Sequence, residues 1–375
     1  MERFCERCER VTVDGNLWCQ EVDCPAEEGI PVFSYGDFLG DLKVIKLLRV
    51  WRTAALYEAD RAGKKVLLMV AHSSEACEER LKRETLLLAA LSTKPGFPTS
   101  FVRSFFPSKR PILPVVLPPY PVPSKRPYGE ITSHGEPKIF AVYEHAEGKL
   151  LSDLLLENPQ IWHYEAAWLI MTLADALHPL IARNRASLSL HPDVVLVDVD
   201  REGHLRPLLL DLGWIVDGSE LGNVGEWPRL AEPGYTAPEL LSASGAQSAS
   251  PAADVYSLGL MLYELLAGKP ALDSKLLRDD QIRDAVMQMR GAPTLDRPEL
   301  QTAGVVKIVE RAIAPANRYK NAGEFANALA AVYGRRPPEK RRVPARAYVL
   351  ITTLGILLLV IAASAIYTLL RALGG

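Results

Sequence analysis

The sequence predicts an α+β body, β-rich in its first part and α-helical after it. A small cysteine-bearing module precedes this body and one apolar helix follows it. Three observations carry the prediction. Apolar β-type runs at 42–48 and 64–70 come early, and helix-periodic segments at 164–181 and 253–268 come late. No charged residue lies between Arg346 and Arg371. Short apolar runs read as strand, and apolar residues three or four apart read as one face of a helix. The 375 residues leave room for two or three domains and a sizeable core. A net charge of -2 gives no global basis for nucleic-acid binding, so none is expected.

The elements follow in order. Cys5 and Cys8 form one close pair, and Cys19 and Cys24 a second, with Gly15 and Asn16 in the hairpin position between them. Four thiolates in two pairs suit tetrahedral Zn²⁺. Residues 1–28 resemble a small zinc ribbon; two disulfides or unpaired surface thiols are the competing reading. A piece this short builds no core of its own, so the metal would supply its folding energy. Basic residues there are few (Arg3, Arg7, Arg10), which counts against the ribbon as a nucleic-acid contact.

Three strands are expected at 42–48, 56–59 and 64–70, then a helix at 74–91 capped by Ser73 or Ser74, with Leu81, Thr85 and Leu88 on its inner face. Cys77 reads as structural. Prolines accumulate from Pro95 to Pro127, which excludes regular helix or central strand. An insertion over about 107–135 is expected, either a passive surface loop or a polyproline-II ligand for a partner. A strand at 139–144 follows. The helix at 164–181 carries Leu169, Leu173 and Leu177 on one face, and a strongly apolar helix from Ala253 stops at Gly268-Lys269-Pro270.

Between those two helices stand Ser187-Leu188-Ser189-Leu190-His191-Pro192-Asp193-Val194, then Asp211-Leu212-Gly213, then Gly234-Tyr235-Thr236-Ala237-Pro238-Glu239. With Glu84, Asp254 and Arg318, these resemble the eukaryotic-type Ser/Thr protein kinase family over roughly residues 36–333. The resemblance implies a bilobal kinase-like fold with its N-lobe ending at about 146, and a site for ATP and Mg²⁺. It assigns Glu144 and Ala146 to the adenine-binding hinge, Glu84 to the lysine-pairing glutamate, which without that lysine either faces solvent or takes another cation, and Asp211 to a metal ligand or to a backbone hydrogen bond that holds its loop. Asp254 would hold the catalytic-loop backbone, and Glu239 with Arg318 a buried ion pair.

Several residues that the family pattern requires are absent. The three glycine slots of the phosphate-covering turn hold Arg49, Trp51 and Ala54, and the ATP lysine slot holds Met69. The catalytic aspartate becomes Ser189, which cannot act as a base near neutral pH. The phosphoryl-steadying lysine becomes His191, and the Mg²⁺-binding asparagine becomes Val194, which has no donor oxygen. Glu232 takes a threonine slot, giving an expected Ser189-to-Glu232 hydrogen bond. Phosphoryl transfer is mainly positioning and charge stabilisation, so the expected protein is a pseudokinase acting as a scaffold or nucleotide-sensing module. The alternative is an active kinase in which His72 or His191 replaces a lysine and Asp193 serves as base.

Residues 334–346 form a basic linker with Arg335, Arg336, Lys340, Arg341, Arg342 and Arg346. Residues 347–370 are long and apolar enough for one membrane span. Positive charge beside a span favours the cytoplasmic side, which puts the kinase-like body there. The basic run would also suit anionic lipid. The protein partner is not specified by these residues.

Overall fold

The structure, a computed structural model, describes residues 2–5, 10–12, 29–92, 112–122, 124–181, 185–200, 202–217, 230–241, 250–273 and 277–335. Contacts divide the chain into Met1–Pro337 and Pro338–Gly375, and every described residue belongs to the first unit. The expected membrane span at 347–370, nearly all of the basic linker, and Cys8, Cys19 and Cys24 of the expected zinc set lie outside the described residues. Among the described residues no helix is long and apolar enough to cross a membrane.

Strands β1 (Glu2–Phe4), β2 (Val11–Thr12) and β3 (Ile30–Val32) form a small antiparallel sheet in the order β2-β1-β3. Cys5 follows β1, is buried, and donates its amide to the Arg10 carbonyl at 2.9 Å. This sheet extends through Val32, past the boundary at 28 expected for the module.

A seven-stranded sheet comes next, from β4 (Phe38–Leu39), β5 (Leu42–Val50), β6 (Ala54–Arg61), β7 (Lys64–Ala71), β8 (Val116–Leu117), β9 (Gly129–Ser133) and β10 (Glu136–Glu144). Its path is β4-β5-β6-β7-β10-β8, with β9 also on β10. The expected insertion at about 107–135 is therefore not a plain loop: it contains a short edge strand, β8, and the first arm of the β9–β10 hairpin. Edge strands tolerate prolines beside them because an unpaired side needs no ladder donor.

Alternation along β7 sorts the sheet's faces. Val66, Leu68 and Val70 join Phe4, Val32, Phe33 and Tyr57 in an outer core covered by the first sheet. Leu67, Met69 and Ala71 face the other way, into the main core, with Leu81 and Leu88 of helix α1 (Glu75–Ser92). Ser74 caps α1, its Oγ accepting the Cys77 amide at 3.3 Å.

The second lobe is built from β11 (Lys149–Leu150), α2 (Leu151–Glu157), α3 (His163–Ile181), β12 (Arg185–Ala186), the hairpin β13 (Val195–Val199) and β14 (Leu205–Leu209), β15 (Val216–Asp217), α4 (Pro238–Leu241), α5 (Ala252–Ala267), α6 (Asp279–Gln288), α7 (Pro298–Ala303), α8 (Val305–Ile313) and α9 (Ala322–Tyr333). Helix α5 is buried along nearly its whole length and ends at Gly268, whose φ of 74° is the left-handed stop expected of a glycine there. Asp254 on α5 accepts the amides of Ser187 and Leu188, each at 2.9 Å, and so holds the loop that leads to Ser189. Arg318 meets Glu239 at 2.5 Å and also bonds the Ala252 and Ala314 carbonyls. Glu239 is partly exposed, so this anchor is half-buried rather than the fully buried pair expected.

Candidate functional site

The site lies where the turn between β5 and β6 meets the loop at 187–194 and the 211–213 step. Met69 occupies the inner face of β7, fully buried, between Leu56 and Ala141 on the neighbouring strands. No cation comes from this strand. Glu84 nevertheless points inward and is fully buried. Its partner is Arg80, one helical turn earlier on α1, at 4.0 Å. The Arg80 guanidinium is also buried and pairs directly with the Asp211 carboxylate. Burial pushes the Glu84 carboxyl up; Arg80, the Tyr143 hydroxyl and the amides of Leu212 and Gly213 oppose that shift. Tyr143 donates to Glu84 Oε1 at 2.8 Å.

Gly213 permits this arrangement. A Cβ there would stand 2.4 Å from Arg80 Cγ and 2.6 Å from the Arg80 carbonyl oxygen. Only glycine lets the loop come that close to α1 and bring Asp211 onto Arg80.

The phosphate-covering turn has changed just as much. β5 carries register irregularities between Val44 and Lys46 and between Leu47 and Arg49, and such bulges re-aim side chains. Arg49 reaches the second lobe, meeting Asp153 at 2.6 Å and Asp193 at 3.2 Å. Trp51 Nε1 donates to the Asp193 carbonyl at 3.2 Å. Arg52 lies 3.4 Å from Glu232 and also pairs with Asp279. The turn is therefore latched onto the loops below it. Glu232 goes to Arg52, so the Ser189-to-Glu232 bond expected from the sequence is not formed.

The cavity left beneath this latch has a volume of about 90 Å³ and is bordered by Trp51, Thr53, Ser189, His191 and Asp211. Small-molecule sites usually need roughly 300–1,000 Å³. Ser189 and His191 are buried, and burial pushes the His191 imidazole down. Val194 is fully buried and apolar. His72 follows β7, bonds the Trp51 carbonyl through Nε2 at 2.7 Å, and is pushed down to about 4, chiefly by burial. Asp193 accepts from Ser152 as well as facing Arg49. Glu144, at the end of β10, donates its amide to the Val115 carbonyl at 2.9 Å, and Ala146 packs on the main core. Neither residue is among those that border the cavity under the latch.

A model of the family described as "Protein kinase domain" matches residues 130–328, more than half of the chain. The chain belongs to the protein kinase domain family. Serine/threonine-protein kinase PknA of Mycobacterium tuberculosis is 29% identical over 227 residues, which cover 60% of this chain and 50% of that protein. PknB of Mycobacterium leprae is 27% identical over 222 residues, covering 57% and 34%. PkaA of Streptomyces coelicolor is 35% identical over 131 residues, covering 34% and 23%. The chain thus spans half the length of these curated relatives or less. Among solved structures, a double-mutant form of the M. tuberculosis PknI kinase domain matches with a TM-score of 0.53 at 20% identity, covering 81% of this chain and 100% of that one. That likeness concerns the fold alone.

Within this kinase domain the implied group is Mg·ATP, and the residues present do not fit its phosphate half. The remaining metal-ligand position, Asp211, is paired with Arg80, the second is Val194, and the lysine position is Met69. Zinc rests on cysteines of which only Cys5 is described, and no group of three or more potential metal ligands occurs among the described residues. Sequence reasoning missed Arg80, Tyr143 and the acids that hold Arg49. For Arg80 the signal was present: a basic residue one turn before a glutamate that lacks its usual partner.

Proposed function

We propose that this protein is a pseudokinase, a kinase-family domain that serves as a scaffold or regulatory module and does not transfer phosphate. The observation that carries the reading is the buried Arg80–Asp211 pair. It places a fixed protein cation where a kinase needs a carboxylate open to Mg²⁺. The active-kinase alternative needs His72, His191 or Asp193 as substitutes. His72 is bound to Trp51, His191 is buried, and Asp193 is held by Arg49 and Ser152.

The reading includes a Zn²⁺ site from Cys5, Cys8, Cys19 and Cys24, and a single membrane span at 347–370 with the kinase-like domain on the cytoplasmic side. The basic linker suits that orientation and anionic headgroups. A protein partner would meet the N-terminal sheet, the proline-rich segment or the latched cleft.

The test is incubation of the full chain with Mg·ATP, reading nucleotide binding and phosphate transfer to itself and to a generic acceptor. No transfer and no Mg²⁺-dependent nucleotide binding are expected. Mg²⁺-dependent transfer that disappears in Asp211→Asn would overturn the proposal.

A further inference from the structure

A second cavity lies mainly over the outer face of the large sheet and reaches the edge of the cleft at Arg52 and Leu230. Its volume is about 560 Å³, within the usual range for small-molecule sites. The first sheet roofs it and β6, β7 and β10 floor it. Its apolar wall comes from Ile30, Phe33, Ala55 and Val70. The first turn of α1 borders it through Ser74 and Cys77, presenting the positive end of the helix dipole.

The polar groups around it have more donors than acceptors. Lys138 is buried at 7% exposure, yet it lines the cavity. Its Nζ gives one hydrogen bond to Ser73 and one to Glu136, each at 2.6 Å. An ammonium has three donors, so one is left over. Tyr57 is 1% exposed and also lines the cavity. Its hydroxyl oxygen accepts the Phe33 amide at 3.1 Å, but its own O–H meets no acceptor among the described residues. Arg3, which bonds the Gly29 carbonyl at 3.1 Å, and Arg52 of the latch add positive charge at the wall, against the single carboxylate of Glu136 at the rim. Buried donors without acceptors cost free energy, and a ligand that brings acceptors recovers it.

We propose that this cavity binds a small amphipathic organic anion, with its carboxylate or phosphate on Lys138, Tyr57 and Arg3 and its apolar body against Ile30, Phe33 and Val70. The site is centred on the outer face of the sheet, with Leu67 and Met69 packed on the far side of β7, and it meets the nucleotide cleft only at its edge, where Arg52 and Leu230 border both cavities. It does not depend on the pseudokinase reading. Its contact with the first turn of α1 puts a bound ligand one to two turns from Arg80 and Glu84.

The test uses the full chain in lipid nanodiscs, titrated calorimetrically with 1-naphthyl phosphate against empty discs, with inorganic phosphate as the comparison. Saturable binding at one site is expected, with inorganic phosphate much weaker. Tyr57→Phe and Lys138→Gln should each weaken it by roughly tenfold or more, the effect of losing one hydrogen bond to a charged group. Arg3→Gln, at a partly exposed position, provides a variant that keeps the fold should Lys138→Gln unfold the domain. Three results would overturn the proposal: no saturable heat up to about 5 mM, far weaker than a specific site; affinity unchanged in all folded variants; or inorganic phosphate binding as tightly as the naphthyl ester.

Discussion

Arg80 holds two carboxylates, Glu84 and Asp211, in place from inside a core that should not tolerate a charge. Its removal would leave Glu84 and Asp211 buried without a cation. Arg80→Met is therefore expected to destabilise the full chain on the order of 3–5 kcal/mol, read by urea unfolding. Adding Met69→Lys returns a cation from β7, the usual source in this family. The double variant should recover about 2 kcal/mol or more relative to the sum of the single effects, and additive effects would contradict the shared site. Two other buried groups give pH effects of opposite sign. His72, pushed down from 6.5 to about 4, refuses a proton that the unfolded chain accepts, so its stabilisation is lost as pH falls through that window. Asp254, pushed up from 3.8 to about 6 by burial against the pull of the Ser187 and Leu188 amides, keeps a proton that the unfolded chain releases. Its stabilisation is present below about pH 4 and lost as pH rises through about 6. Each slope is at most about 1.4 kcal/mol per pH unit. Relative to the parent, His72→Gln should lose stability progressively from about pH 4 to 6.5, and Asp254→Asn should gain it over about pH 4 to 6. Denaturant titrations across that range check both signs.

At the scale of elements, the β5–β6 turn is the part most altered from the family's phosphate-binding design. Glycines would let the backbone lie over a phosphate; Arg49 and Trp51 instead carry the turn down onto α2 and the 187–194 loop. Asp153 and Asp193 are about a third or more exposed, so solvent screening limits each ion pair to about 1 kcal/mol or less. The latch therefore sets position more than stability. Arg49→Ala should change global stability by about 1 kcal/mol or less, yet speed amide hydrogen exchange at residues 51–53 several-fold, since local opening has its own free energy. Unchanged exchange there would mean the turn is held by its own packing. The turn's existence was legible in the sequence, from two apolar runs separated by a short polar step. Its direction was not, because the bulge that aims Arg49 is a register event between strands.

For the whole molecule, the N-terminal sheet is the roof of the outer core and one wall of the second cavity. If Zn²⁺ holds its cysteines, metal content should be one ion per chain, and a strong chelator should lower the melting temperature and expose Phe4 and Val32. Elemental analysis beside a thermal melt checks this, and a metal-free chain with an unchanged melt would remove zinc from the account. The order of the main strands and helices, the apolar alternation of β7, a serine cap at 73 or 74, the stop at Gly268 and the anchors at Asp254, Glu239 and Arg318 were readable along the chain, because each depends on neighbours a few residues away or on a motif with fixed spacing; the edge strands β8 and β9 were not, because they exist only through pairing with β10. So was the loss of the lysine, aspartate and asparagine of the active centre. What replaced them was decided only in three dimensions. Arg80 takes the missing charge from a helix rather than a strand, Gly213 lets it reach Asp211, and Arg49 closes the cleft across more than a hundred residues of sequence. Such pairings depend on which faces the packed core turns toward one another, and no local pattern along a single chain records that.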